Sequence, residues 1–319
     1  MKILVYGAGA LGSVFGGYLA RLHDVSLICR SPHAEAINKN GLVIHTPENS
    51  EFKIFPPASS SISNFNEIFD IIIISVKTYD LELACRTISE ELGFSPILES
   101  SKSQQVTFCP KIILLQNGLG NEECASNFFP STHIYRILTT NGAFFIKPGR
   151  VRHSGRGKTQ IGKYIQTKGE NIFLLQLCEI LTEVGLKTNQ ITNLKERIWQ
   201  KLAVNAAINP ITALTGLRNG EILQSLELKE VLTKIVAEVE QVALISENLK
   251  LTNTLEKVLE TLNDTKENRS SMLQDVKNRK KTEINFINGQ IVKIGKKFNL
   301  QTPYNQLLTI LIRTKEKSY

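Results

Sequence analysis

Two regimes of hydrophobic patterning divide the chain. Up to about residue 190 short apolar runs dominate, and Lys2–Tyr6, Val25–Arg30, Asp70–Val76 and Lys111–Gln116 read as strands. The run Ile71-Ile-Ile-Ile74 is β-branched without alternation, as in a parallel strand covered on both faces. Helical spacing follows the first strand over Ser13–Leu22 and returns over Asn171–Gly185, before a short strand at Leu186–Gln190. Ile134–Ile146 and Gly157–Gly162 read as strands, with Val151–Gly157 as a turn between them. Gly93–Pro110, rich in Ser and Gln, reads as a surface loop extension. From Ile191 the strand-like runs stop. Helical periodicities replace them at Leu194–Asn209, Leu226–Glu247, Thr254–Leu262, Ser271–Phe298 and Tyr304–Thr314. The pattern predicts an α/β N-terminal Rossmann-type domain over 1–190 and an all-α C-terminal domain over 191–319.

Composition narrows the class. Of 319 residues, 42% are hydrophobic and 21% charged, as in ordinary globular proteins with buried cores. The formal charge of +8 raises the question of nucleic acid. The basic residues are scattered, however, and in the C-terminal third they interleave with acids as on solvated helix faces, so nucleic-acid binding is not expected. A basic field also draws in an anionic cofactor and a carboxylate substrate. The five cysteines are dispersed and lack a Cys-x-x-Cys pair, which argues against a disulfide framework and a zinc site and fits a reducing compartment. No signal-peptide pattern and no apolar run of membrane-spanning length are visible, so a cytoplasmic protein without a membrane partner is expected.

Candidate chemistry begins at Gly7-Ala8-Gly9-Ala10-Leu11-Gly12, which sits between the first strand and the first helix. In that context G-x-G-x-x-G binds a dinucleotide: one glycine makes the turn, one admits the pyrophosphate, and one lets helix and strand approach. The second strand ends in Arg30 rather than an acid; an arginine there can pair with a 2′-phosphate, which points to NADP(H), the alternative being a residue simply exposed after a strand. Lys77 and Asn117 follow the next two strands, at carboxyl ends where open α/β sheets hold ligands, although either could instead be a turn residue, as Asn117-Gly118 also signals. In the helical half, Ile198–Pro210 carries Lys201, Asn205 and Asn209 at i, i+4 and i+8. One polar stripe on an otherwise apolar helix needs partners, either from the protein itself or from an oxygen-rich ligand. Asn268–Asp275 opens a helix with hydroxyls near its N-terminus, where Ser270 suits a cap and a carboxylate is also favoured. Glu283 falls in a segment apolar on one side, and His153 reads as a loop or packing residue.

Together these motifs closely resemble the ketopantoate reductase family. They are Gly7–Gly12, Val76-Lys77, Gln116–Gly120, Thr139–Ala143, Trp199–Pro210, Asn219–Glu221, Ser270–Asp275 and Thr282–Gly289, in the family's order over essentially the whole chain. The resemblance implies NADPH-dependent reduction of 2-dehydropantoate to (R)-pantoate, on the way to pantothenate and coenzyme A. It implies Lys201 as the proton donor, with Glu283 beside it in the catalytic set. Asn117, Asn205, Asn209, Asn219, Asn268 and Ser271 become substrate contacts along with Lys201. Gly7–Gly12, Arg30, Lys77, Asn117, Ala143 and Glu283 become cofactor contacts. The partner is then a small 2-keto acid carboxylate, and the reading admits a homodimer. The departure is an extension around Ser100–Thr107, which bears on oligomer contacts and leaves the matched motifs intact. Two alternatives stand beside this reading: a related reductase of another 2-keto acid, and a non-catalytic NADP(H)-binding regulator.

Overall fold

The computed structural model describes residues 1–93, 109–165 and 171–319; Ser100–Thr107 and most of the expected loop Gly93–Pro110 lie outside the described residues. Two compact units emerge. The first comprises Met1–Gln116 and Gly120–Leu194, the second Asn117–Leu119 and Lys195–Tyr319.

In the first unit the chain runs β1 (Lys2–Tyr6), α1 (Ala10–Leu19), β2 (Asp24–Ile28), α2 (Ser31–Asn40), β3 (Leu42–His45), β4 (Glu51–Ile54), β5 (Ala58–Ser59) and β6 (Ile71–Ile74). It continues through α3 (Leu81–Glu91), β7 (Lys111–Leu114), α4 (Asn121–Ser126), β8 (Ile134–Thr139), β9 (Gly142–Lys147), β10 (Arg150–Gly155), β11 (Thr159–Lys163), α5 (Ile172–Glu183) and β12 (Thr188–Gln190). Eight strands form one sheet in the order β12-β11-β8-β7-β6-β1-β2-β5. From β5 to β8 the neighbours are all parallel, and β11 turns antiparallel to β8. The order β5-β2-β1-β6-β7-β8 is that of a doubly wound dinucleotide-binding sheet, whose connection reverses between β1 and β6.

The unalternating isoleucine run now has its cause. Ile71 and Ile73 join Ile3, Val5 and Ile113 in the core on one face of the sheet. Ile72 and Ile74 join Leu4, Ile112 and Leu114 in the core on the other. Each fully buried isoleucine stabilises by about 1.5–3 kcal/mol relative to exposure.

A second sheet, β4-β3-β10-β9, covers α1. It corrects two expectations. The supposed turn Val151–Gly157 is mostly strand β10, in which Val151 and His153 point inward on alternate positions. The expected single strand Ile134–Ile146 is two, β8 and β9, which leave for different sheets at Thr140-Asn141. Helix α1, expected over Ser13–Leu22, lies between both sheets and is buried from Gly12 to Leu19. A Cβ on Gly16 would meet Leu27 and Val5 of the main sheet, and one on Gly17 would meet Ile44 of the second.

The second unit holds α6 (Leu194–Thr215, all but its first residue), α7 (Leu226–Glu247), α8 (Thr254–Asp264), α9 (Ser271–Lys277), α10 (Asn288–Lys297) and α11 (Pro303–Glu316). Its core gathers Trp199, Leu202, Ala203, Ala206 and Ala207 of α6 against Ile235, Val239 and Val242 of α7 and Ile291 of α10. The expected helix Ser271–Phe298 is interrupted. Asn278–Lys281 offers no apolar position to bury; Arg279 turns to φ 51° and Lys280 N–H bonds back to Asp275 O at 2.9 Å, closing α9. Helix α6 runs past its expected end at Asn209, through Pro210 to Thr215. No helix among the described residues is long and apolar enough to cross a membrane.

Candidate active site

At the reversal point the turn from β1 into α1 is built from Gly7–Gly12. Gly7 has φ +89°, and a Cβ there would lie 2.5 Å from Val76 Cγ1. The N–H groups of Gly7 and Ala8 both donate to Ile28 O, at 2.9 and 2.8 Å, which pins the turn to the end of β2. Ser75 Oγ donates to Gly7 O at 2.8 Å, and it stands where a side chain on Gly12 would have to go. Gly9 differs: a Cβ there would meet nothing closer than Gly7 O at 3.9 Å. The fold does not require that bare position. Gly9 is also the N-cap of α1 and supplies no side-chain cap, so the first N–H groups of the helix suit an anion. The loop thus fits a dinucleotide pyrophosphate.

A buried chain of hydrogen bonds, absent from the sequence reading, backs this loop. Gly149 N–H donates to His33 Nδ1 at 2.9 Å, so the ring hydrogen sits on Nε2, 3.0 Å from Ser13 Oγ. Ser13 Oγ in turn donates to Ala8 O at 3.0 Å. Burial lowers the His33 pKa to about 4, keeping the ring neutral. His153 is likewise a packing residue, between Tyr18 OH at 3.0 Å and Asn141 Oδ1 at 2.9 Å, and burial lowers its pKa.

Two of the remaining first-unit candidates follow strands of the main sheet at its carboxyl edge. Arg30 is exposed at the N-cap of α2, and Lys77 caps the turn Thr78–Asp80 after β6. Ala143 lies on β9, opposite His153 in register and packed on the core around α1.

In the second unit, α6 carries Lys201 and Asn205 half-buried and Asn209 buried. Asn209 Nδ2 and Asn219 Oδ1 are both shielded from solvent with no hydrogen-bond partner in the protein. An unmet buried donor and an unmet buried acceptor each cost about 1–3 kcal/mol, a cost that a polar ligand removes. Asn219 is otherwise well held: its N–H donates to Asn268 O at 3.0 Å and its Nδ2 to Thr265 Oγ1 at 2.8 Å. Thr212, one turn beyond Asn209, lies 2.6 Å from Ser270 Oγ. Ser270 caps α9 by accepting Leu273 N–H at 3.1 Å, which leaves Ser271 exposed at the first position of the helix.

Glu283 is 5% exposed and receives Asn117 Nδ2 at 3.3 Å. The turn around Asn117 belongs to this unit, because Leu119 N–H donates to Phe286 O and a Cβ on Gly118 would collide with that same oxygen. The structure therefore brings Asn117 to Glu283, Asn219 to Asn268, and α6 to the start of α9. The sequence reading missed His33 and Thr212.

Comparison with known proteins identifies the family. Residues 3–166 match the family described as ketopantoate reductase PanE/ApbA, and residues 193–316 match its C-terminal domain. A 2-dehydropantoate 2-reductase of Pyrococcus horikoshii is 38% identical over 99% of this chain and 98% of its own. One from Archaeoglobus fulgidus is 33% identical over 98% and 97%. Among solved structures, D-mandelate dehydrogenase with NADH and anilino(oxo)acetate superposes with a TM-score of 0.87 at 28% identity, over 100% of this chain and 99% of that one. A PanE/ApbA family ketopantoate reductase from Ralstonia eutropha gives 0.85 at 26%, with the same coverage. The chain belongs to the ketopantoate reductase family.

Proposed function

We propose that the protein reduces 2-dehydropantoate to (R)-pantoate with NADPH. The observation that carries this reading is the buried, unmet pair Asn209 Nδ2 and Asn219 Oδ1 in the unit that bears Lys201. A substrate with a carboxylate, a keto oxygen and a hydroxyl offers both the acceptor and the donor that this pair lacks. Curated relatives named 2-dehydropantoate 2-reductase support the substrate.

Gly7–Gly12 would hold the pyrophosphate, Arg30 the 2′-phosphate, and Lys77, Asn117, Ala143 and Glu283 further parts of the dinucleotide. The bound dinucleotide supplies a hydride to the keto carbon. Lys201 gives its proton to the keto oxygen as charge builds there, and its ammonium stabilises that charge beforehand. Asn205, Asn209 and Asn219 orient the substrate without competing for the proton, because carboxamides do not titrate. Asn268 and Ser271 suit the substrate carboxylate. Glu283, together with Asn117, orients the reacting end.

A second reading concerns the substrate. D-mandelate dehydrogenase superposes over the whole chain, so a different 2-keto acid is compatible with the same scaffold. That neighbour holds NADH, which sets the test for Arg30. The assay is loss of NADPH absorbance with ketopantoate, beside NADH and a keto acid lacking the 4-hydroxyl. Lys201→Ala should lower kcat by about 10²- to 10⁴-fold. Arg30→Ala should erase a preference for NADPH of about tenfold or more. Near-normal turnover by Lys201→Ala would discard the proton-donor role, and equal use of NADH would discard that of Arg30.

A further inference from the structure

Pro210 lies inside α6, five residues before its end, and the helix continues through it. Proline has no N–H, so the carbonyl of Ala206, four residues earlier, loses its main-chain donor. Ala206 is fully buried, and water cannot replace that donor. The replacement comes from another helix: Asn288 Nδ2, at the start of α10, donates to Ala206 O at 3.0 Å.

The orientation of this amide follows from the groups beyond it. The Glu238 carboxylate accepts from Tyr304 N–H at 2.8 Å, Asn305 N–H at 3.0 Å and Asn305 Nδ2 at 2.7 Å. A carboxylate only accepts, so Asn305 must turn its NH2 to Glu238 and its oxygen to Asn288. Asn288 therefore presents its NH2 to both Asn305 Oδ1, at 2.9 Å, and Ala206 O. Two hydrogens meet two acceptors. Asn288 and Asn305 are 0% exposed.

Place gives this network its meaning. Ala206 sits between Asn205 and Asn209 on α6, and Asn288 follows Glu283 by five residues. We infer that Asn288 is a positioning residue, resting on the function proposed above. It stands in for the N–H that Pro210 lacks, and so fixes the turn of α6 bearing Asn205 and Asn209 against the segment bearing Glu283.

The test is a double-mutant cycle with Asn288→Ala, Pro210→Ala and both together, read as kcat, KM for ketopantoate, NADPH affinity and Tm. Asn288→Ala should lower kcat about tenfold or more, since small misalignments of reacting groups are amplified. NADPH affinity should stay within about twofold, because the glycine loop is untouched. Pro210→Ala gives Ala206 O a main-chain donor, so the double variant should recover kcat to within about threefold of the natural enzyme. Its Tm should stay low, because Asn305 Oδ1 still lacks its donor. A role confined to core stability predicts the reverse: a low Tm with unchanged kcat, or a kcat that Pro210→Ala fails to restore. Either result overturns the inference.

If Asn288→Ala does not fold, Pro210→Ala alone remains decisive; with Asn288 intact it should keep kcat within about threefold, and a loss of tenfold or more would refute the stand-in. Failure of the functional reading is seen separately, in the natural enzyme on ketopantoate. In that case the same cycle is read on the 2-keto acid that is turned over. Pantoate affinity, followed by fluorescence of Trp199, the chain's one tryptophan and buried on α6, gives a readout that needs no turnover. It should weaken in Asn288→Ala and return in the double variant; an unchanged affinity counts against the inference.

Discussion

Replacing Gly9 and Gly12 separately with alanine distinguishes two demands on one short loop. At Gly12 a methyl group would collide with Ser75 Oγ and lie 2.9 Å from Gly7 O. Ser75 would have to swing away and release its hydrogen bond to Gly7 O. Overpacking of this kind costs about 1–3 kcal/mol and the lost bond about 0.5–1.5 kcal/mol more, so Gly12→Ala should destabilise by about 2–4 kcal/mol. For a unit of this size that lowers Tm by roughly 5–15 °C. At Gly9 the new methyl meets no protein atom closer than Gly7 O at 3.9 Å, an ordinary contact, and φ is −80°. The change there should stay within about 1 kcal/mol, the difference between glycine and alanine at an N-cap. If the loop holds the pyrophosphate as proposed, the same methyl fills the space it needs, and a steric cost of about 2 kcal/mol should weaken NADPH binding about 30-fold. Thermal melts without cofactor, followed by NADPH fluorescence titration, separate the two effects. The reasoning fails if Gly9→Ala binds NADPH as tightly as the natural protein, or if Gly12→Ala melts at the natural temperature.

Two further outcomes follow from buried polar groups. The pKa of His33 is about 4 when folded, against 6.5 for an unperturbed histidine, so on acidification the unfolded chain takes up the proton first. Stability from this site is complete above pH 6.5 and falls between pH 6.5 and 4, by about 3 kcal/mol in all. Urea melts across that range should show the slope, and His33→Asn should flatten it; an unchanged slope removes His33 as its source. The Glu122–Arg136 pair, at 2.8 Å with side chains 5% and 1% exposed, also holds Gln116 O through Arg136 Nη2 at 2.7 Å. Glu122→Ala removes the carboxylate that meets this buried guanidinium and should cost about 3–5 kcal/mol in chemical denaturation, whereas a loss below about 1 kcal/mol would mean that other groups meet the charge.

Local pattern determined much of this protein. The strand–glycine–helix signature, the isoleucine strand and helix Leu226–Glu247 could be read directly, because each repeats its own periodicity in the face or faces it buries. The Lys201, Asn205 and Asn209 stripe was legible for the same reason: helical spacing alone aligns it. Tertiary structure decided what depends on partners far along the chain. Strand β10 exists because β3 and β9 pair with it, and its own Arg-, Ser- and Gly-bearing sequence looks like a turn. Asn117 reaches Glu283 across 166 positions of sequence, and no spacing rule relates them. Helix α6 passes through Pro210 because Asn288, 82 positions beyond Ala206, supplies a hydrogen that the backbone lacks. Sequence periodicity records which side of an element is buried; it does not record which distant donor satisfies a given carbonyl, and only the packed chain fixes that pairing.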